Sequence, residues 1–149
     1  MQFPIHECQH GYSTDKSTES AISDTGGFIE MNRTGKRGVF AVSLDIQAAF
    51  DSVTPNSIKA ALIKHGSNKE YANWYHNFLT HRDLETELKG ETYSASNGLG
   101  FPQGGVVSAD FWKIVFDPAI HIINNENTQG TGYADDLILL RAGYSCVAS

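Results

Sequence analysis

The stretch TGYADDLILL, residues 131–140, contains two short segments typical of β-strands, separated by a tight turn. The first segment ends at Tyr133, and the second is the four-residue apolar run at 137–140. Between them lies Ala134-Asp135-Asp136, and aspartate is a common turn residue. The stretch therefore predicts a hairpin that carries two adjacent carboxylates.

A third aspartate follows a strand-like segment far upstream. Residues 39–44 read VFAVSL, a β-rich run between turn signals, which predicts a buried strand with Asp45 at its carboxyl end. If this strand lies beside the hairpin, Asp45, Asp135 and Asp136 meet at one edge of the sheet. Three carboxylates form an oxygen-rich site suited to hard divalent cations such as Mg²⁺. The alternative is that Asp135 and Asp136 are ordinary turn residues.

The remaining periodicity predicts several helices and one further hairpin. We expect helices over residues 18–31, from Thr54-Pro55 to Gly66, over 69–79 and over 108–124, with a bend near Pro118. Residues 86–94 predict a hairpin, and residues 98–105 form a glycine-rich loop. The helix over 69–79 is expected to bury its aromatic side chains, which are Tyr71, Trp74, Tyr75 and Phe78. The predicted class is α+β, a small antiparallel sheet with helices packed on one face.

Composition indicates a globular protein of about one domain. The chain has 149 residues, of which 40% are hydrophobic and 19% charged. Its net charge of −6 argues against a free-standing nucleic-acid-binding module, which should carry a basic surface. The longest apolar run, at 137–140, is far shorter than the ~20 residues of a membrane-spanning helix, so we expect no membrane association.

Three segments resemble the motifs of a known family, in that family's order. Residues 44–53, LDIQAAFDSV, resemble the first palm motif of reverse transcriptases. Residues 100–108, GFPQGGVVS, are similar to their proline-glutamine-glycine loop, and YADD at 133–136 to their paired-aspartate hairpin. The Ala-Phe-Asp form of the first motif resembles the form found in reverse transcriptases of retrotransposons without long terminal repeats. Residues 9–12 and 16–19 resemble the segment before the palm, so the similarity spans about residues 9–141.

The resemblance implies an RNA-directed DNA polymerase that adds deoxynucleotides to a primer 3′ end. Asp45, Asp135 and Asp136 match the catalytic aspartates, which would hold two Mg²⁺ ions, with Mn²⁺ a possible substitute. The backbone carbonyl of Ile46 would add a metal ligand. The implied partners are an RNA template, a DNA primer and deoxynucleoside triphosphates, and the implied location is intracellular, nuclear or cytoplasmic.

The same resemblance assigns three residues to the incoming nucleotide. Phe50 matches the aromatic residue that lies under the sugar and excludes a 2′-hydroxyl, although spacing alone favours a core aromatic. Gln103 matches the loop glutamine near the nucleotide or template, and the alternative is a polar loop residue. Gly104 would let the backbone approach the nucleic acid closely.

We expect a partial reverse transcriptase domain with incomplete fingers and no thumb. Residues 1–38 would form a fingers-side segment, residues 39–141 the palm core with a fingers insert, and residues 142–149 an unassigned tail. Two departures are Ser13 and Thr14, at positions that are often basic in relatives. Three alternatives stay open, namely an inactive retroelement remnant, a nucleic-acid-binding module and an RNA-dependent RNA polymerase, in which Asp51 would contact a ribose hydroxyl.

Overall fold

The computed structural model describes residues 4–33, 37–96, 98–125 and 127–144. They form two compact units, which we call the sheet unit (residues 4–46 and 116–144) and the helical unit (residues 47–115). The elements are α1 (Thr18–Arg33), β1 (Arg37–Asp45), α2 (Ala49–Ser52), α3 (Pro55–Lys64), α4 (Lys69–Thr80), β2 (Asp83–Leu88), β3 (Glu91–Ser96), α5 (Ser108–Ile123), β4 (Thr128–Tyr133) and β5 (Asp136–Tyr144). The predicted α+β class is confirmed, and the predicted domain boundaries stay a prediction.

The sheet unit contains an antiparallel sheet of three strands in the order β1-β5-β4. In the β4–β5 hairpin Tyr133 pairs with Asp136, which leaves Ala134 and Asp135 as a two-residue turn. Strand β1 pairs with the other side of β5, and its last residue, Asp45, is the register partner of Asp136. The predicted hairpin is therefore present, with β5 as the central strand.

Two glycines of β4 allow α5 to lie close to the sheet. A Cβ atom on Gly130 would lie 2.6 Å from Cγ2 of Ile123, and one on Gly132 would lie 3.1 Å from Cδ1 of Ile120. Gln129 projects to the opposite face of β4 because side chains alternate along a strand. There its amide donates a hydrogen bond to the Asp24 carbonyl of α1 over 3.4 Å. Helical residues thus contact β4 from both faces, whereas the sequence led us to expect helices on one face.

Strand β1 is not the buried strand that its apolar composition predicted. Residues 40–45 are all exposed, including Phe40 at 65% and Val42 at 51%. The prediction of burial was wrong: the composition of β1 is typical of a strand covered on both faces, but the side chains of residues 40–45 are left uncovered. The central strand β5 contributes the buried residues instead, with Leu140 completely enclosed.

The helical unit is organised around α3 and α4. The Thr54 side chain accepts a hydrogen bond from the Ser57 amide over 3.1 Å, and Pro55 occupies the first turn, so the predicted start of α3 is confirmed. Both helices contribute fully buried side chains, among them Ile58, Leu62 and Leu79. The two helices therefore share an apolar core, as the periodicity of the sequence indicated.

The aromatic side chains of α4 are only partly buried. Tyr75 is 3% exposed, but Trp74 is 59% and Phe78 45% exposed, so the prediction that these two are core residues was wrong. Their rings stack on each other with centroids 6.0 Å apart and planes at 10°. The helical period correctly placed the aromatic residues on neighbouring turns. It did not predict which part of the helix surface the rest of the protein covers.

Two other regions complete the description. In the β2–β3 hairpin Lys89 and Gly90 both have positive φ angles, 55° and 82°, as the two-residue turn of type I′ requires. Of the tail that matched no family segment, residues 145–149 lie outside the described residues. No helix in the described part of the chain has both the length and the apolar character needed to cross a bilayer.

Candidate catalytic site

The structure brings the three predicted metal-binding aspartates to one end of the sheet. Asp45 is the last residue of β1 and Asp136 the first residue of β5, and they are direct register partners. Residues directly opposite each other in an antiparallel pair have Cα atoms roughly 4.5–5.5 Å apart and side chains on the same face. Asp135 immediately precedes Asp136 in the turn. Chain segments about ninety residues apart are therefore neighbours at this point.

The three carboxylates face solvent and are not drawn together into a cluster. All three residues are exposed, and none forms an ion pair within the described ranges. In the same ranges no group of three or more His, Cys, Asp or Glu side chains is arranged to hold a metal ion. Mg²⁺ is usually bound by one or two carboxylates together with water and substrate phosphates. A set of exposed carboxylate donors fits such an ion, because water and substrate phosphates would supply the remaining ligands.

Ile46 directly follows Asp45 and is half-buried. No contact of the described residues tests its carbonyl as a metal ligand, so that role stays a prediction.

The turn of the aspartate hairpin is in close contact with an upstream glycine. Ala134 has a φ angle of 56°, a backbone conformation that residues other than glycine rarely adopt. A Cβ atom on Gly11 would clash with the backbone nitrogen of Ala134. This contact was not predicted from the sequence, in which residues 9–12 are only part of a family resemblance. The available signal was a glycine in that segment, since glycine marks places where backbones approach closely.

His10, beside this glycine, connects the hairpin to α1. Its side chain is completely buried, with Nδ1 2.7 Å from Ser20 Oγ and Nε2 3.1 Å from Asp24 Oδ2. Burial lowers the pKa of His10 from its usual value; the positive charge of Lys16 acts in the same direction and Asp24 opposes both. No pattern in the sequence indicated this buried polar contact, because it joins residues on separate elements.

Phe50, the predicted sugar-contacting residue, belongs to the helical unit and rests on two buried aromatic side chains. Its ring stacks on Trp112 with centroids 5.6 Å apart and planes at 19°, and it meets the Phe101 ring edge-on at 5.8 Å. Trp112 and Phe101 are each 3% exposed, whereas Phe50 is only half-buried. Phe50 is thus supported by the core and keeps part of its surface open.

The glycine-rich loop is bound to the segment that carries Phe50. Gly100 donates a backbone hydrogen bond to the Val53 carbonyl over 2.8 Å, and Phe101 donates to the Phe50 carbonyl over 3.0 Å. Arg82 has no role predicted from the sequence, and its guanidinium donates to the carbonyls of Leu99 and Gly100 over 2.7 and 2.8 Å. These contacts fix the start of the loop relative to α2.

Gln103 lies within reach of the same segment. Its amide donates to the Asp51 carboxylate over 3.3 Å, and both side chains are exposed. The next residue, Gly104, has a φ angle of 82°, and no atom lies within 4 Å of the place that a Cβ would occupy. Two of the predicted nucleotide-binding residues, Phe50 and Gln103, are therefore brought onto adjoining segments of the helical unit, and Gly104 follows in an open turn.

Comparison with known proteins identifies the family. A sequence model described as "Reverse transcriptase (RNA-dependent DNA polymerase)" matches residues 2–146. The chain belongs to the reverse transcriptase family. Members of this family use divalent metal ions and bind a nucleic-acid template and primer.

Two relatives are polyproteins of retrotransposons. This reverse transcriptase chain is 28% identical, over 91% of its length, to the retrovirus-related Pol polyprotein from type-1 retrotransposable element R2 of Popillia japonica. It is 27% identical, over 69% of its length, to the one from type-2 retrotransposable element R2DM of Drosophila melanogaster. The chain spans 21% of the first polyprotein and 11% of the second.

The fold is shared with a solved telomerase structure. The reverse transcriptase chain superposes on apo telomerase from Candida tropicalis, truncated from its C-terminal domain, with a TM-score of 0.69 and 14% identity. The match covers 95% of this chain and 30% of the telomerase chain. The palm-type α+β fold expected from the sequence is thereby confirmed.

Proposed function

We propose that this chain contributes the catalytic aspartates of an RNA-directed DNA polymerase encoded by a retrotransposon without long terminal repeats. The polymerase would add deoxynucleotides to a DNA primer on an RNA template. The observation that carries the proposal is the register of β1 and β5, which sets Asp45 opposite Asp136, the residue that directly follows Asp135. The similarity to R2 polyproteins supports the assignment to such a retroelement.

In this proposal Asp45, Asp135 and Asp136 hold two divalent ions through their exposed oxygens, and the Ile46 carbonyl adds a ligand. Two Mg²⁺ ions, with Mn²⁺ as a substitute, would stabilise the attacking and leaving oxygens of an in-line phosphoryl transfer. The primer 3′ oxygen forms a bond to the α-phosphorus of the deoxynucleoside triphosphate and loses its proton to solvent. The bond from the α-phosphorus to the bridging oxygen breaks, and pyrophosphate leaves.

Phe50 is proposed to discriminate against ribonucleotides through its contact with the sugar. Its ring rests on Trp112 and Phe101, both buried, so it cannot retreat from an added hydroxyl without displacing the core. Gln103 is proposed to contact the nucleotide or template from the loop that Phe50 and Val53 anchor. Gly104 would leave room for the nucleic-acid backbone at its open turn.

Paramagnetic relaxation by Mn²⁺ tests the proposed metal site. The ¹⁵N-labelled chain is titrated with Mn²⁺, with and without dTTP, because triphosphate oxygens complete the coordination that these carboxylates begin. We expect signal loss centred on residues 45 and 135–136, stronger with dTTP. The effect should disappear in Asp136→Asn and persist in Asp15→Asn, an exposed aspartate outside this site. Relaxation spread evenly over acidic surface residues would contradict the proposal.

A further inference from the structure

The segment Cys8–Gly11 lies along the open edge of β4, beside the aspartate hairpin. The amide of His10 donates to the Gly132 carbonyl over 2.7 Å, and the Gly132 amide donates to the Cys8 carbonyl over 2.9 Å. Gln9 forms a parallel bridge with the same glycine. Because β4 is an edge strand, its outward backbone groups need such partners, and this segment supplies them one residue before Tyr133.

The segment ends in a close backbone contact with the turn itself. A Cβ on Gly11 would clash with the Ala134 nitrogen and would lie 2.8 Å from the Ala134 Cα and 3.0 Å from the Tyr133 carbonyl carbon. All three atoms belong to the backbone, so relief would require movement of the turn rather than rotation of a side chain. Only glycine fits here, and the contact limits where the turn can lie.

His10 fixes the same segment to α1. Its backbone is bonded to β4, whereas its buried imidazole contacts Ser20 and Asp24, both in α1. One residue therefore joins a helix to the strand that leads into the hairpin. A shift of α1 would be transmitted through this residue to the position of the turn.

We propose that Cys8–Gly11 braces the aspartate hairpin and that His10 is a positioning residue for Asp135 and Asp136. This inference rests on the proposed function for the statement that these aspartates bind metal. Mg²⁺ and Mn²⁺ sites of this kind demand well-defined geometry. In phosphoryl transfer a misplacement of about 1 Å costs roughly a hundredfold in rate. The brace would therefore act on metal affinity and turnover without touching metal or substrate.

The test compares two glycine-to-alanine variants of the chain. Gly11→Ala introduces the clash with Ala134, whereas Gly26→Ala adds the same methyl group in α1, where no atom lies within 4 Å. We measure amide hydrogen exchange of Gly132, whose bond to Cys8 reports the brace directly, and Mn²⁺ affinity in the presence of dTTP. Gly11→Ala should raise the exchange rate and lower the Mn²⁺ affinity, each by about tenfold or more. Gly26→Ala should change neither.

Two replacements of His10 provide a readout that general destabilisation would not give. His10→Leu removes both polar contacts, whereas His10→Asn keeps a polar atom near the Nδ1 position that meets Ser20. We expect faster Gly132 exchange and weaker Mn²⁺ binding in His10→Leu, with substantial recovery in His10→Asn. This pair also decides the question if Gly11→Ala does not fold.

Unchanged Gly132 exchange in Gly11→Ala and in His10→Leu, with both variants folded, would overturn the brace. A different result would be faster Gly132 exchange in both variants, together with no Mn²⁺ binding at the hairpin of the wild-type chain. That result would support the brace and contradict the proposed function.

Discussion

Replacing Asp45 by asparagine should stabilise the metal-free chain. The register sets Asp45 and Asp136 directly opposite each other on adjacent strands, and neither has an ion-pair partner within the described residues. Like charges directly opposite in an antiparallel pair are destabilising. The asparagine side chain would keep the size and shape of the aspartate while removing one charge.

The expected size follows from the geometry of the pair. Opposite residues in an antiparallel pair lie about 5 Å apart, and for two unit charges at that separation in a medium with the dielectric constant of water Coulomb's law gives about 0.8 kcal/mol. Measured cross-strand pairs span roughly 0.2–1 kcal/mol, and salt reduces the value further. For a chain of this length, such a change corresponds to a rise of about 0.4–4 °C in the midpoint of thermal unfolding.

The difference in stability between Asp45→Asn and wild type should change sign when divalent cations are added. A ligand that binds only the folded state stabilises it in proportion to the logarithm of its concentration above Kd. Wild type should therefore gain stability with Mn²⁺ and dTTP, whereas Asp45→Asn should gain much less. The measurement is thermal unfolding by circular dichroism at low ionic strength, with EDTA and then with Mn²⁺ and dTTP.

Two controls separate this effect from general changes in charge. Asp15→Asn makes the same substitution at an exposed aspartate in a turn and should show neither the gain in EDTA nor the loss of the metal response. A double-mutant cycle of Asp45→Asn with Asp136→Asn isolates the coupling between the two carboxylates. A coupling energy of zero, or a destabilised Asp45→Asn in EDTA, would refute the paired geometry and with it the proposed site.

Phe50, the isolated chain and His10 each provide a further prediction. In a complete polymerase carrying this segment, Phe50→Val should raise relative ribonucleotide use by roughly ten- to a hundredfold in primer-extension competition. The reason is that overpacking a bulky group against a rigid ring costs about 1–3 kcal/mol, which the smaller side chain relieves. Retained activity with unchanged selectivity would assign Phe50 to the core. The 149-residue chain alone should extend no primer on an RNA template, since its net charge of −6 attracts nucleic acid poorly, and extension that Asp135→Asn abolishes would show the prediction wrong. The pKa of His10 is lowered in the folded state, so the unfolded chain protonates first on acidification: the contribution of His10 to the free energy of unfolding should be complete above about pH 6.5 and fall as the pH decreases further. Urea titrations between pH 5 and 7.5 should show a flatter profile for His10→Leu, and an unchanged profile would mean that this group does not titrate on unfolding.

Much of the local structure could be predicted because its causes lie within a few residues. Thr54-Pro55 specifies the start of α3 through a side-chain hydrogen bond and a fixed φ angle. The paired turn between Tyr133 and Asp136 likewise follows from two flanking strand segments. Burial was predicted less well, because the structure leaves several large apolar side chains exposed, namely those of Phe40, Val42, Leu44 and Trp74. Apolar composition shows that a residue suits a core, but not whether another element covers it.

The sequence by itself determined the family of this reverse transcriptase chain, and three motifs in family order predict its site residues, namely the three carboxylates, the aromatic residue and the loop glutamine. Only the tertiary structure decided which of these groups are neighbours. The pairing of Asp45 with Asp136, the support of Phe50 by Trp112 and the contact of Gly11 with Ala134 each join segments far apart in the chain. Such contacts depend on strand register and packing, which arise when distant segments fold together, and no local pattern encodes them.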